Sequence, residues 1–278
     1  MKRGINDIIG HSIITTDGTK GKIKDFLFDR DTWQVRYLEA DFGNLFSTDR
    51  ILIPRSLLKD SQISDEDLLL NVTNSLVKLG PKPEEDLPVS RQYEEKLNRY
   101  YNQDFYWTGP GYGVAGEPGL SDTGMRDTGM RDTGLTGMTG VTGGTTGMSS
   151  MNYPRRIPRY SAVEDADQNS NLHSFKEVKG YNIHATDGTL GSVDNLIIDD
   201  DNWQIWYMVV DTNSWLPWSK KVLIDISFIE SISYSIREAE INLHSDSIKN
   251  APEYDEKQLD NQYETNLQKH YENTSVRH

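Results

Sequence analysis

The chain has 278 residues, a formal net charge of −14 and no cysteine. The lack of cysteine excludes disulfides, thiolate metal sites, iron–sulfur clusters and cysteine nucleophiles. The acidic excess lies mainly in residues 171–278, which hold 18 acidic and 9 basic side chains. Because an acidic surface repels phosphate backbones, we do not expect this part of the chain to bind nucleic acid.

The N-terminal residues predict neither export nor membrane insertion. Lys2 and Arg3 are not followed by an apolar run, so a secretory signal is not expected. No stretch of eighteen consecutive apolar residues occurs, so a membrane span is not expected either. The sequence therefore predicts a soluble, cytoplasmic protein.

A long internal repeat organises the chain. Residues 10–41 return without gaps as residues 180–211, an offset of 170, with thirteen of the 32 paired positions identical. Both stretches contain the Asp-Gly-Thr of a tight turn and a Trp-Gln pair. A repeat of this length is too long for a solenoid unit, so each copy is predicted to be a small domain.

The first copy shows the pattern of short strands separated by turns. Asp17 and Gly18 supply the hydrogen bond and the positive φ that a hairpin turn needs, and Asp29 begins a second turn. Five short strands in about eighty residues favour a small antiparallel barrel, which leaves no exposed sheet edge. The predicted strands cover residues 11–15, 21–28, 33–40, 51–53 and 68–72.

An amphipathic helix is predicted after these strands. Ser90 is a suitable N-cap, and apolar or aromatic residues recur at helical spacing across residues 91–102. The second copy repeats this helix, with Asp260 in the place of Ser90, and also the fourth and fifth strands, at residues 222–224 and 236–243. The repeated unit is thus a barrel with a C-terminal helix, residues 5–104 and 173–274, in which the helix packs on its own barrel.

Residues 108–170 differ in composition from both copies. They are rich in Gly, Thr and Met and include the repeated Asp-Thr-Gly-Met-Arg. Such a composition buries too little apolar surface to offset its ordering entropy, which predicts a disordered linker. A basic group, Arg155, Arg156 and Arg159, is either a candidate partner-binding site or part of a solvated linker.

No motif for catalysis or for a cofactor is found. The chain has no P-loop, no G-x-S-x-G elbow and no H-x-x-x-H pair. Asp199, Asp200 and Asp201 are candidates for weak cation binding, but they lack the glycine and the distal glutamate of an EF-hand, so a turn between strands is favoured. We therefore expect a non-enzymatic protein without cofactor or metal.

The tryptophans fall into two groups. Trp33 and Trp203 occupy equivalent strand positions and are predicted to pack in the core. In contrast, Trp215, Leu216 and Trp218 lie in a predicted loop, at the position of Leu45 and Phe46 in the first copy. This loop is either an exposed partner-binding patch or a cap over the barrel end.

The spacing of the glycines, the Asp-x-x-x-Trp-Gln turn and the Ile-Leu-Ile-Pro strand together resemble the PRC-barrel family. The resemblance covers both copies, through Gly10, Gly18, Gly21, Asp29 and residues 51–54 in the first, and Gly180, Gly188, Gly191, Asp199 and residues 222–224 in the second. It implies that Asp17, Gly18, Gly21, Asp29, Asp187, Gly188, Gly191 and Asp199 are structural turn residues. The family includes the cytoplasmic domain of the photosynthetic reaction centre H subunit, whose membrane helix this sequence does not show.

The resemblance implies a scaffold or adaptor that binds protein partners, since the family brings no shared catalytic residues. A reaction-centre H-subunit-like accessory in light-driven electron transfer is one alternative, and a ribosome- or RNA-associated factor is a second. The two barrels are free to pair within the chain or with another copy. The sequence does not identify the partner.

Overall fold

The computed structural model describes residues 1–43, 49–59, 67–82, 89–108, 171–212 and 220–275. The predicted linker, apart from its first residue, lies outside these residues. The two copies belong to one compact unit, whereas residues 105–108 belong to another. The described part of that second unit contains a 3-10 turn at Tyr106–Thr108. The ring of Trp107 in this turn stacks on the ring of Phe105.

The first copy is mainly β, as predicted. Its strands lie within one or two residues of most of the predicted bounds, and the predicted helix is present with the Ser90 hydroxyl accepting a hydrogen bond from the Tyr93 amide. Two short helices, α1 and α2, were not predicted. The elements are β1 (Lys2–Gly4), α1 (Ile5–Ile8), β2 (Ser12–Ile14), β3 (Lys20–Asp29), β4 (Gln34–Asp41), β5 (Arg50–Pro54), β6 (Asp67–Leu69), α2 (Asn74–Leu79) and α3 (Arg91–Tyr100).

The second copy repeats this order and has one additional strand, β12, which was not predicted. A 3-10 turn at Ile226–Phe228 joins β12 directly to β11. The elements are β7 (Leu172–Ser174), α4 (Phe175–Val178), β8 (Asn182–Ala185), β9 (Gly188–Asp199), β10 (Gln204–Asp211), β11 (Lys221–Asp225), β12 (Ile229–Ser233), β13 (Glu238–Ile241), α5 (Ser245–Lys249) and α6 (Asn261–Ser275).

The strands of the two copies belong to one continuous sheet, whereas the sequence predicts two small antiparallel barrels. Hydrogen bonding runs in the order β12-β13-β8-β9-β10-β4-β3-β2-β6, with β11 on β10 and β5 on β4, and it does not close into a ring within the described residues. The pairs β2 with β6 and β8 with β13 are parallel. A parallel pair needs a long crossover connection, which the three or four intervening strands provide.

Each long helix lies on its own copy. In α3, Tyr93 and Leu97 are buried, and Tyr100 donates a hydrogen bond from its hydroxyl to the Leu76 carbonyl oxygen over 2.8 Å. In α6, the Tyr271 hydroxyl donates to the Leu223 carbonyl oxygen over 2.7 Å. The aromatic residues of both helices therefore complete the core of the copy to which the helix belongs.

Gly191 provides a stability prediction. It has φ +62°, and a β-carbon there would lie well inside contact distance of the Asp211 carbonyl oxygen on the paired strand. We expect Gly191→Ala to lower the free energy of unfolding by about 3 kcal/mol or more, because backbone strain and a backbone clash add. Gly180→Ala is the matched control, since Gly180 has φ +86° but no atom within 4 Å of the added carbon. Its expected loss is about 1 kcal/mol, and equal losses in urea unfolding would contradict the role of the contact.

Candidate functional site at the interface of the two copies

Each copy extends a short N-terminal arm onto the sheet of the other copy. The first arm, residues 2–8, consists of β1 and α1, and the second arm, residues 172–178, consists of β7 and α4. Strand β1 pairs antiparallel with β9 of the second copy, with Lys2 opposite Asp199. Strand β7 pairs antiparallel with β3 of the first copy, with Leu172 opposite Asp29. The exchange is reciprocal, and we call β3 and β9 the receiving strands.

Apolar side chains anchor both arms. Ile5 and Ile8 of the first arm are fully buried, and Phe175 and Val178 of the second arm are at most 1% exposed. Helix α1 lies against β9, and α4 lies against β3. A four-residue helix has no stability of its own, so its form depends on this burial against the other copy.

A polar side chain at equivalent positions of the receiving strands holds the start of each arm helix. Asp25 Oδ1 accepts hydrogen bonds from the amides of Phe26 and Lys176, at 2.8 and 3.0 Å. Asn195 Oδ1 accepts from the amides of Leu196 and Asn6, at 2.9 and 3.1 Å. The bonds from Lys176 and Asn6 satisfy amides that the first turn of each arm helix leaves unpaired. Each arm is thus fixed in register by the opposite copy.

The two copies also meet where β4 and β10 begin. Gln34 is the register partner of Gln204. The Val35 amide donates to the Trp203 carbonyl oxygen over 3.0 Å, and the Ile205 amide donates to the Trp33 carbonyl oxygen over 2.9 Å. The same contact made in both directions indicates a local pseudo-twofold relation between the copies.

The two equivalent tryptophans are buried beside this contact, as the sequence predicts. Trp33 is 4% exposed and stacks on Phe28, with ring centroids 5.4 Å apart. Trp203 is 1% exposed, and its ring lies 5.9 Å from that of Phe26 in the other copy. Aromatic packing therefore crosses from one copy to the other.

The residues matched by a family model cover more than half of the chain. The model of the PRC-barrel domain matches residues 2–77 and 171–248, one match in each copy. The chain belongs to the PRC-barrel family. No curated protein matched the chain. Both matches begin at the arms, so the arm is part of the PRC-barrel domain as the family model defines it.

None of the helices among the described residues combines the length and the apolar character that crossing a membrane requires. The cytoplasmic location stays a prediction.

The carboxylate cluster of the second PRC-barrel copy lies at the edge of the first arm. One carboxylate oxygen from each of Asp199, Asp200 and Asp201 falls within 4.8 Å of the others. The Met1 amino group contacts all three, and Arg3 forms a 3.1 Å ion pair with Asp200. These cationic groups partly compensate the negative charge of the three carboxylates, and the cluster contacts the first arm through them.

The predicted turn residues of both PRC-barrel copies have structural contacts. Asp17 accepts a hydrogen bond from the amide of Asn74, the first residue of α2. Asp187 accepts from the amide of Ser245, the first residue of α5, over 2.7 Å. The pKa of Asp17 is lowered by hydrogen bonds from the Thr15 hydroxyl and the Asn74 amide, and the pKa of Asp187 is lowered by bonds from the hydroxyl and the amide of Ser245. Asp29 and Asp199 accept from amides of their own turns. Gly18, Gly188 and Gly191 have positive φ, and Gly21 packs closely against the Phe42 ring.

The predicted partner-binding residues lie outside the described residues. These are Trp215, Leu216, Trp218, Arg155, Arg156 and Arg159.

Sequence analysis missed the arm contacts, including Asp25, Asn195 and Ser174. One signal was present in the sequence: positions 25 and 195 are 170 residues apart, and each places a polar residue before a run of apolar ones.

His173 is a buried titratable group on the second arm. It is 1% exposed between Phe28 and Tyr234, and the described residues offer neither ring nitrogen a hydrogen-bond partner. Burial, together with the charge of Arg30, lowers its pKa from 6.5 to about 3. Burial raises the pKa of Asp25, which holds the same arm, from 3.8 to about 6. The two groups therefore respond to acid with opposite signs.

We expect these two effects to offset each other between pH 7 and pH 5. The unfolded chain binds more protons at His173, which removes about 2 kcal/mol of stability at pH 5, whereas the folded chain binds more at Asp25, which adds about 1.5 kcal/mol. Relative to the wild-type chain, Asp25→Asn should lose stability as the pH falls, and His173→Leu should gain it. Urea unfolding at both pH values checks this, and parallel pH profiles for all three proteins would contradict it.

Proposed function

We propose that this protein is a non-enzymatic scaffold or adaptor, in which two PRC-barrels act as one partner-binding or assembly unit. The reciprocal arm exchange is the observation that carries the proposal. It couples the copies through backbone pairing on both sides, Lys2 with Asp199 and Leu172 with Asp29. A coupled pair presents two surfaces at a fixed spacing, which suits the holding of partners in a defined arrangement.

The contacts of the buried carboxylates support a structural role for these side chains. Asp25 holds the second arm, and Glu39 is bound by the Arg50 guanidinium through hydrogen bonds of 2.8 and 2.7 Å. Glu94 accepts a hydrogen bond from the Tyr37 hydroxyl and forms an ion pair with Arg91. Buried charges are retained where they are paired, and the contacts of Glu39 with Arg50 and of Glu94 with Tyr37 connect different elements of the fold.

The loop residues Trp215, Leu216 and Trp218 remain our candidates for the surface that contacts a partner, with Arg155, Arg156 and Arg159 as a second candidate. Aromatic residues and arginines contribute strongly to binding energy at protein interfaces. The equivalent loop of the first copy contains Leu45 and Phe46. This difference between the copies provides a matched control.

Quantitative crosslinking in the native cell tests the proposal. We expect the double variant Trp215→Ala and Trp218→Ala to lose most of the crosslinks that the wild-type chain makes to a partner. The double variant Leu45→Ala and Phe46→Ala should keep them. Identical crosslinks from both variants, or none specific to the wild-type chain, would contradict this partner-binding surface.

A further inference from the structure

The two arms differ in sequence at the positions where they contact their receiving strands. Gly4 in the first arm is equivalent to Ser174 in the second. The receiving position is Asn195 for Gly4 and Asp25 for Ser174. The residue type on the arm and the residue type on the receiving strand thus both differ between the two arm contacts.

Ser174 fits an aspartate at the receiving position. Its hydroxyl donates a 2.5 Å hydrogen bond to Asp25 Oδ2, which is buried. A first arm placed on the same strand would bring Gly4, which has no hydroxyl. The buried carboxylate would then lose this donor, and a buried acceptor without its donor is unfavourable.

Gly4 fits an asparagine at the receiving position. A β-carbon at position 4 would lie well inside contact distance of Asn195 Nδ2 and 2.6 Å from Asp7 Oδ2. A second arm placed on β9 would bring the β-carbon and hydroxyl of Ser174 to this place. The Asn195 side chain would then have to move, and its bonds to the amides of Asn6 and Leu196 fix it where it is.

The residues next to Gly4 and Asn195 also differ between the two arm contacts in a way that favours the observed pairing. Arg3 of the first arm forms its ion pair with Asp200, which is 3% exposed. The residue equivalent to Asp200 in the first copy is Arg30, and the residue equivalent to Arg3 is His173. A first arm on the first copy would therefore place Arg3 beside Arg30, and two like charges at a partly buried contact repel each other.

We propose that these residues form a pairing code, by which each receiving strand accepts the arm of the other copy and rejects an arm of its own kind from a second chain. The partner that fits each arm site is the non-identical copy of the same protein. The code favours a closed pair and disfavours dimers made from two first copies or two second copies. It combines a favourable contact in the correct pair with a repulsive or clashing contact in the wrong one.

A double-mutant cycle on the intact chain tests the code. Gly4→Ser and Asn195→Asp should each lower the equilibrium constant for folding by about tenfold. In the double variant the new hydroxyl can donate to the new carboxylate as Ser174 does to Asp25, so most of the loss should be recovered. Additive losses in the double variant, or no loss in either single variant, would overturn the proposal.

Pair selection is measured on cleaved chains. Two preparations with different affinity tags on the first copy are cleaved within residues 109–170, mixed, unfolded in urea and refolded by dilution. We expect each tagged first copy to recover second copies and no first copy bearing the other tag. Pairs of two first copies in a yield similar to the mixed pairs would overturn the proposal.

The double variant Asp25→Asn and Arg30→Asp is the positive control for this experiment. It gives the first copy the two receiving residues of the second copy, Asn195 and Asp200. Pairs of two first copies are then expected to appear. Their absence, with mixed pairs formed normally, would show that other contacts select the partner and would overturn the code.

Discussion

Replacing Trp203 with alanine is expected to lower the free energy of unfolding by about 3–5 kcal/mol. The side chain is 1% exposed and packs across the interface against Phe26. Its removal leaves a large cavity where β10 meets β4, and the backbone there is held by hydrogen bonds between the copies. Urea unfolding followed by circular dichroism and by tryptophan fluorescence measures the loss.

Two substitutions of Trp203 separate the contribution of side-chain packing from that of backbone strain. Trp203 has φ +60°, so alanine keeps the strained backbone while losing the packing. Trp203→Gly should therefore be more stable than Trp203→Ala by up to about 1 kcal/mol. Ile236→Ala, at a residue that is 58% exposed, is the control and should change little. A loss below about 1 kcal/mol in Trp203→Ala would contradict the packing described.

Replacing Phe175 with alanine should weaken the association of the two copies as well as the fold. Phe175 belongs to the second arm and is 1% exposed, with its helix against β3 of the first copy. Truncation of a buried phenylalanine costs about 3–5 kcal/mol. Because the contact lies between the copies, we expect the halves of a linker-cleaved chain to dissociate about a hundredfold faster or more.

Leu79→Ala is the matched control, since Leu79 is a large apolar residue of the first copy that is 78% exposed. It should leave both the stability and the dissociation rate unchanged within error. If Phe175→Ala lowers the stability without changing the dissociation rate of the halves, the second arm does not contribute to holding the copies together.

Local sequence patterns were sufficient to predict most of the strands outside the arms and the first copy's long helix. The Asp-Gly turns, the alternating apolar residues and the cap at Ser90 each specify a short segment by local chemistry. The burial of Trp33 and Trp203 also follows from strand position and residue type. These features depend on neighbours in sequence, which is why one sequence is enough to predict them.

The arm exchange could not be predicted in the same way. Strands β1 and β7 have three residues each and show no period, and α1 and α4 have four residues each. Their structure depends on burial against residues about 145–195 positions away, such as Ser174 on Asp25 and Gly4 on Ile197. The repeat indicates that both arms exist, but it does not specify which copy receives each arm.

The buried position of His173 was also beyond the sequence analysis. A histidine before Ser-Phe carries no pattern of a core residue, and the equivalent position in the first copy is Arg3. Its burial follows from the pairing of His173 with Phe28 in the other copy. The candidate partner-binding residues, in contrast, remain predictions from the sequence.

Cleavage of the linker tests most directly whether the two copies form one unit. A specific protease site is inserted between residues 109 and 170, the folded chain is cleaved, and the products are analysed by size-exclusion chromatography with light scattering and by native mass spectrometry. We predict that both halves co-elute as one particle with the mass of the whole chain, 31.7 kDa plus the inserted site. Two separate folded species, each of about half that mass, would contradict the reciprocal exchange.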